Sequence, residues 1–338
     1  MLLRYLFLGL VALQLAACSH DARVLSFGGE VMGTTYSIKV VEGGKVDFND
    51  KGLSELTQRS VVQALDQVDS ALSTYKAQSE LMRLNRAIPG AEFEMGEEMR
   101  EVTLLALRIL EASGGYFDPS IGPLVSAWGF GAESSSVVPD EQEVAFLLAK
   151  AGMRSLEIKD SIRVRKVADG FIDYSAIAKG YGVDRAAQAL ESIGFTNFLV
   201  EVGGEVRVLG TNASGEAWRL GIEQPDILGR KAYNVAHLKD VSMATSGDYR
   251  NFIEGSEGRY SHTIDPKTGY PVSSEIASVS VVMKDCASAD AWATALLAMG
   301  RERALEYAER KNLAAFFIFR EDGGFSSHAS KQMQQYLR

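Results

Sequence analysis

The chain has 338 residues, 46% apolar and 23% charged, which is the composition of a globular protein and excludes a disordered or fibrous one. Its 44 acidic and 35 basic residues give a formal charge of −9, and no long Lys/Arg block interrupts that balance, so no nucleic-acid partner is expected. A phosphate ligand would have to be held locally, by backbone amides, a metal or one well-placed cation.

The first twenty residues, MLLRYLFLGLVALQLAACSH, hold one charge, Arg4, before an apolar run. A run this short that ends in small residues reads as a secretory signal over residues 1–17 and not as a spanning helix. Cys18 directly after Leu15-Ala16-Ala17 resembles the bacterial lipobox, which implies a lipidated Cys18 at the mature N-terminus. Only Cys286 then remains, no internal disulfide can form, and Cys286 is expected to be a small buried residue.

Residues 18–28 are expected to be a tether, followed by one domain over 29–338. A strand is expected at 34–41, where TTYSIKVV alternates. Helices are expected at 53–72, at 95–113 closed by Gly114-Gly115, and at 140–152 after Pro139-Asp140. The segment 114–131 holds too many breakers for regular structure, and 155–172 reads as two short strands around KDS. A helix then opens within DYSAIAKGYGVDRA and ends at Gly194. The C-terminal half predicts strands at 197–202, 205–210, 217–223, 233–245, 259–265 and 276–283, helices at 286–299 and 301–311, and a last strand at 314–320. Clustered rather than alternating elements predict an α+β fold, a single two-lobed domain with a mixed or antiparallel sheet and flanking helices.

Several stretches could carry chemistry. At 173–179 a strand turning into a helix would leave amides for an anion, with Lys179 adding charge at the same end, although Asp173 or Ser175 could simply cap that helix. Asp290 and Thr294 are four apart on a helix, so they share a face and offer two hard oxygens of the kind Mg²⁺ prefers. Small residues around them, Ala287 to Ala295, would let another element approach. Tyr116, Phe117, Trp128 and Phe130 lie in a loop as core plugs or as a wall for a flat ring. Gly203-Gly204 reads first as a hairpin turn and second as a place where backbone nears a ligand. His262, one of four histidines, stands amid hydroxyls and an acid as a candidate proton acceptor. No GxGxxG, GxxxxGK[ST] or HExxH is present, which removes dinucleotide-fold, P-loop and zincin readings.

Taken in order, VMGTTYSIKV, LSTYKAQSELMRLN, GYFDPSIGPLVSAWGFG, IDYSAIAKGYGVDRAAQAL, FLVEVGGEVRVLG, ATSGDYRNF, YSHTIDPKTGYPV and ADAWATALLAMG resemble the ApbE family of FAD:protein FMN transferases, from about residue 29 to 320. The resemblance implies an enzyme that uses Mg²⁺ to cut FAD at its pyrophosphate and joins the FMN half to a Thr or Ser of an acceptor protein, with release of AMP. It implies FAD contacts at Met32, Tyr75, Tyr116, Phe117, Asp118, Asp173, Lys179 and Ile264. The metal ligands it implies are Ala176 through its carbonyl, Asp290 and Thr294, with His262 as the candidate base. Helix start 173–179 and helix face 290–294 would be opposite walls of one metal and pyrophosphate site. Ala293 stands where some relatives carry a carboxylate, which leaves one fewer charged ligand. Also implied are acceptors among the subunits of Na⁺-translocating NADH:quinone reductase or Rnf-type complexes, and a lipid-anchored place in the bacterial envelope facing the periplasm. Two other readings use the same residues: hydrolysis of FAD to FMN and AMP, and flavin binding without catalysis.

Overall fold

The computed structural model describes residues 22–43, 46–130, 138–225, 231–247, 252–255, 258–272 and 275–337. Cys18 and the signal expected over 1–17 lie outside the described residues. In chain order the first half contains β1 (Val24–Val31), β2 (Thr34–Val41), α1 (Leu53–Leu72), α2 (Glu80–Arg86), β3 (Glu92–Glu94), α3 (Glu97–Ala112), α4 (Gly122–Ala127), α5 (Glu141–Lys150), β4 (Leu156–Ile158) and β5 (Arg163–Lys166). Next come α6 (Ser175–Ile193), β6 (Phe198–Val202), β7 (Glu205–Leu209), β8 (Trp218–Glu223), β9 (Ala232–Leu238), β10 (Val241–Gly247), β11 (Phe252–Gly255) and β12 (Gly258–Ser261). The chain closes with β13 (Ile276–Met283), α7 (Cys286–Met299), α8 (Arg301–Arg310), β14 (Ala314–Glu321) and β15 (Gly324–Ala329).

Eight strands form one antiparallel sheet in the order β1-β2-β6-β7-β10-β13-β14-β15. The α+β expectation holds, and the reason is legible in β14. Ala315, Phe317 and Phe319 point into the core shared with the helices, while Ala314, Phe316 and Ile318 point into the core shared with β8 and β9. Period-two alternation with both faces covered requires a continuous apolar run, and AAFFIF is one. On the helical face α1 packs on α6, and α6 on α7. Every residue of α7 is buried except Thr294. A satellite cluster of Leu124, Trp128, Val144 and Ile264 lies under α4 and α5.

Several expectations are corrected. The tether over 18–28 is strand from Val24 on, because β1 pairs in full register with β2 through a two-residue turn, Met32-Gly33, with φ of 52° and 71°. The segment 114–131 does contain a helix, α4; Pro123 falls at its first turn, where a missing N–H costs nothing. The single strand expected over 233–245 is two, in different sheets. Asp240 breaks it with φ of 56°, and its carboxylate accepts the Gly210 N–H at 2.7 Å. The strand expected over 259–265 ends at Ser261, and Ile264 makes only an isolated bridge to Pro271. Strands β3, β11 and β15 were not expected; the first two are short, and β15, GFSSHA, has few apolar residues and no clear alternation.

Candidate functional site

A cavity of about 480 Å³ opens where the turns of the sheet meet α6 and α7. Seven residues named above from the sequence line it together with the candidate base His262: Tyr116, Phe117, Asp118, Asp173, Lys179, Asp290 and Thr294. Ala176 and Ile264 line it as well. Met32 and Tyr75 are not among its lining residues. The Met32 sulfur lies against α6 at Gly182, where a Cβ would sit 3.1 Å from it. Tyr75 follows a turn in which Ser73 Oγ accepts the Tyr75 N–H at 3.2 Å, and its ring is 72% exposed.

Two helices that meet without spacer residues make the charged wall. At Gly180 a Cβ would collide with the Cys286 carbonyl oxygen and lie 2.8 Å from Asp290 Cβ, so glycine is what lets α6 touch α7. Across that seam the Gly180 N–H donates to Asp290 Oδ2 at 3.0 Å. In a regular helix the same N–H serves the carbonyl of Ala176, so the carboxylate competes for it and leaves that carbonyl with acceptor capacity at the cavity. The start of α6 and the face of α7 are therefore neighbours on one wall, not opposite walls. Asp290 does not cap its helix either: Asp285 takes the Ser288 N–H at 2.8 Å, and the buried Asp184 on α6 takes those of Cys286 and Ala287, each at 2.9 Å. Asp184 is in turn paired with Arg207 at 2.8 Å, which fixes the seam from below.

The helix start at 173–179 is also more occupied than its sequence suggests. Tyr174 is the cap residue, and Asp173 Oδ1 accepts the Ser175 N–H at 2.8 Å, so the first amide is already taken. Asp173 is placed by its own N–H, which donates to the Pro119 carbonyl at 2.7 Å, and by Asn85, whose side chain bonds both the N–H and the carbonyl of Ile172. That one asparagine ties the LMRLN segment to the start of α6.

Lys179 Nζ lies 3.0 Å from Glu205 Oε1 and 3.9 Å from Asp290 Oδ1. Burial alone would lower the lysine, but the Asp290 and Glu205 carboxylates outweigh it and raise its pKa, which keeps the ammonium charged. Burial pushes the Glu205 carboxyl up; Lys179 pulls it back, and Asp290 pushes it further up. Glu205 was not singled out in the sequence. It opens β7 directly after Gly203-Gly204, and an acid paired in register with the buried Val202 is the signal that marks it. The Gly203-Gly204 pair is the hairpin turn expected of it, and it also lines the cavity. Thr294 Oγ1 shares a hydrogen bond of 3.0 Å with Ser246 Oγ of β10.

The opposite wall is loop. Tyr116 has cations over its ring, Arg303 at 5.0 Å and Lys267 at 5.6 Å, while Phe117 is buried. Trp128 is core, and its Nε1–H donates to the Gly269 carbonyl at 2.8 Å. The His262 ring stands edge-on to Phe130 with centroids 6.1 Å apart.

The model of the ApbE family matches residues 32–317. The chain is 37% identical over 327 residues to the FAD:protein FMN transferase of Vibrio cholerae, covering 96% of each chain. To the FAD:protein FMN transferase of Haemophilus influenzae it is 36% identical over 332 residues, covering 96% of this chain and 95% of that one. The solved structure of the flavin transferase ApbE from Vibrio cholerae superposes with a TM-score of 0.83 at 36% identity, covering 94% of this chain and all of that one.

Proposed function

Because the chain belongs to the ApbE family, we propose that it is an FAD:protein FMN transferase that moves FMN from FAD to a Thr or Ser hydroxyl of an acceptor protein and releases AMP. The observation that carries this reading is the meeting of Asp290, Thr294, Ala176 and Lys179 in one cavity.

The donor set fits a hard cation. Among the described residues no group of three or more His, Cys, Asp or Glu side chains is placed to hold a metal ion. An ion here would take one carboxylate, one hydroxyl and one carbonyl, and leave its other positions to water and phosphate oxygens, which is the habit of Mg²⁺. When bound, such an ion would neutralise the pyrophosphate and polarise the phosphorus under attack. Lys179 would hold the same pyrophosphate with its ammonium. Tyr116, Phe117 and Ile264 offer apolar surface for a ring of the dinucleotide, with Asp118 and Asp173 as polar contacts beside it.

In the transfer the acceptor oxygen attacks the phosphorus of the FMN half. A new P–O ester bond forms, the pyrophosphate P–O bond breaks, and AMP leaves with the bridging oxygen. The hydroxyl proton needs an acceptor, and His262 is the imidazole on the cavity wall that would take it. Cys18 would carry the lipid that holds the enzyme at the periplasmic face of the envelope, with acceptors among the subunits of Na⁺-translocating NADH:quinone reductase or Rnf-type complexes.

The test is mass spectrometry on a Thr-bearing acceptor domain incubated with the full chain in detergent, FAD and Mg²⁺. An FMN-sized gain on the acceptor with one AMP per transfer is expected, lost with a chelator and reduced at least about 100-fold in Asp290→Ala. Free FMN and AMP with an unmodified acceptor would replace this reading by hydrolysis, and intact FAD would leave flavin binding alone.

A further inference from the structure

Lys179 faces two buried carboxylates and does not sit evenly between them. Its Nζ donates to Glu205 Oε1 at 3.0 Å, the one hydrogen bond it makes among the described residues, and stands 3.9 Å from Asp290 Oδ1. The two acid side chains are 4% and 3% exposed, so their pull on the ammonium is weakly screened. Asp290 Oδ2 is already taken by the Gly180 N–H. Oδ1 is the oxygen left to offer, and the nearest competitor for it is the ammonium of Lys179.

What keeps that ammonium away is the β6–β7 hairpin. Gly203, at φ of 63°, lets the turn press on the lysine stem, since a Cβ there would lie 3.2 Å from Lys179 Cδ. The next residue but one is Glu205. Its Oε2 has no hydrogen-bond partner among the described residues, so among side chains its carboxylate is committed to Lys179 through Oε1 alone.

We propose that Glu205 is a positioning residue: it draws the Lys179 ammonium off Asp290 and so keeps Asp290 Oδ1 open to a divalent cation. The inference rests on the reading of Asp290 as a cation ligand. Without the Glu205 charge, Lys179 closes on Asp290 as a direct buried ion pair, and a metal must first break that pair.

The experiment measures Mn²⁺ binding to the flavin-free full chain in detergent, by the electron paramagnetic resonance signal of free Mn²⁺, and needs no turnover. Mn²⁺ shares the oxygen-ligand preference of Mg²⁺. Glu205→Gln keeps the shape and removes the charge; it is expected to weaken Mn²⁺ binding about 10-fold or more, and in a Lys179→Met background at most about 3-fold, a coupling that a purely structural role would not produce. Unchanged affinity in Glu205→Gln overturns the inference. An equal loss in both backgrounds overturns it too, because Glu205 would then act on the cation directly. Asp290→Ala separates the two levels: if it binds Mn²⁺ like the wild type, the cation reading itself falls and this inference with it.

Discussion

The two walls of the cavity are built to different standards. Lys179, Asp290 and Thr294 stand on α6 and α7, which meet backbone to side chain at Gly180 and are buried in the main core. Tyr116, Phe117, His262 and Ile264 stand on loops around α4; Ile264 belongs to a separate cluster with Leu124, Trp128 and Val144, while Phe117 is anchored in the main core and Tyr116 packs against it. A cation and a pyrophosphate need ligands fixed to a fraction of an ångström, and helices in a packed core supply that. A dinucleotide has to enter, and an acceptor segment has to reach it, which loops on a small core allow at low cost in global stability. The difference implies that the charged wall is pre-formed and that the side of the loop wall carrying Ile264 on the small core is the part that adjusts.

The largest effect should come from the one place where the loop wall would do chemistry. His262→Gln is expected to lower transfer about 100-fold with FAD affinity nearly unchanged, as for loss of a general base. A variant that transfers flavin at the wild-type rate would leave the loop wall with binding alone and sharpen the contrast further. On the helix wall, Gly180→Ala sets a methyl group against the Cys286 carbonyl, an atom that cannot move aside without shifting α7. A stability loss of about 2 kcal/mol is expected by chemical denaturation. If Gly180→Ala were as stable as the wild type, the seam would be looser than the contrast requires.

Trp128→Phe probes the loop wall at a long-range hydrogen bond. The Gly269 carbonyl loses its donor, and Ile264, in the same small cluster, loses part of its packing. FAD binding should weaken about 5-fold, from the roughly 1 kcal/mol that such a bond contributes, while the midpoint of global unfolding moves little. Fluorescence titration beside a denaturation curve separates the two. A large fall in the midpoint would show that the satellite core is not separable from the main one.

How much could be read from the sequence follows the same division. Asp290 and Thr294 were legible because four-residue spacing on a helix fixes a shared face, and Lys179 because it falls within the first turns of a marked helix start. The adjacency of those two features was not legible, since Gly180 reads as a weak spot in a helix until the partner α7 is seen against it. Glu205 was hidden for a related reason: alternation says which residues of a strand share a face, not that a buried acid there meets a lysine from another element. In the loop wall the Pro and Gly residues obscured α4, whose Pro123 is compatible with a first helical turn. The break in 233–245 was missed because Lys239-Asp240 carries no glycine, and Asp240 takes the left-handed conformation with its own side-chain bond as support.

The smallest expected effect is none at all, and it tests the rigid wall most directly. Cys286 opens α7 on the floor of the seam, wholly buried, and its own carbonyl is the atom that Gly180 leaves room for. Burial pushes its thiol well up, and the neighbouring Asp184, Glu205 and Asp290 carboxylates push it the same way. An alkylating reagent attacks the thiolate, so it meets two barriers: it must reach the sulfur, and the sulfur must first lose a proton in a field that resists it. Raising the pH to about 9, where an ordinary thiol is mostly ionised, removes neither barrier while the helices stay together. In a Cys18→Ser variant, where Cys286 is the one thiol left, labelling by a maleimide should therefore be no faster than global unfolding. Gly180→Ala in that background should speed it, because a forced gap between α6 and α7 opens a path to the sulfur and lets water lower the cost of ionising it. Fast labelling of the unaltered seam would mean that α6 and α7 part readily in the native state. Asp290 and Thr294 would then stand on a wall no more fixed than the loops that face them.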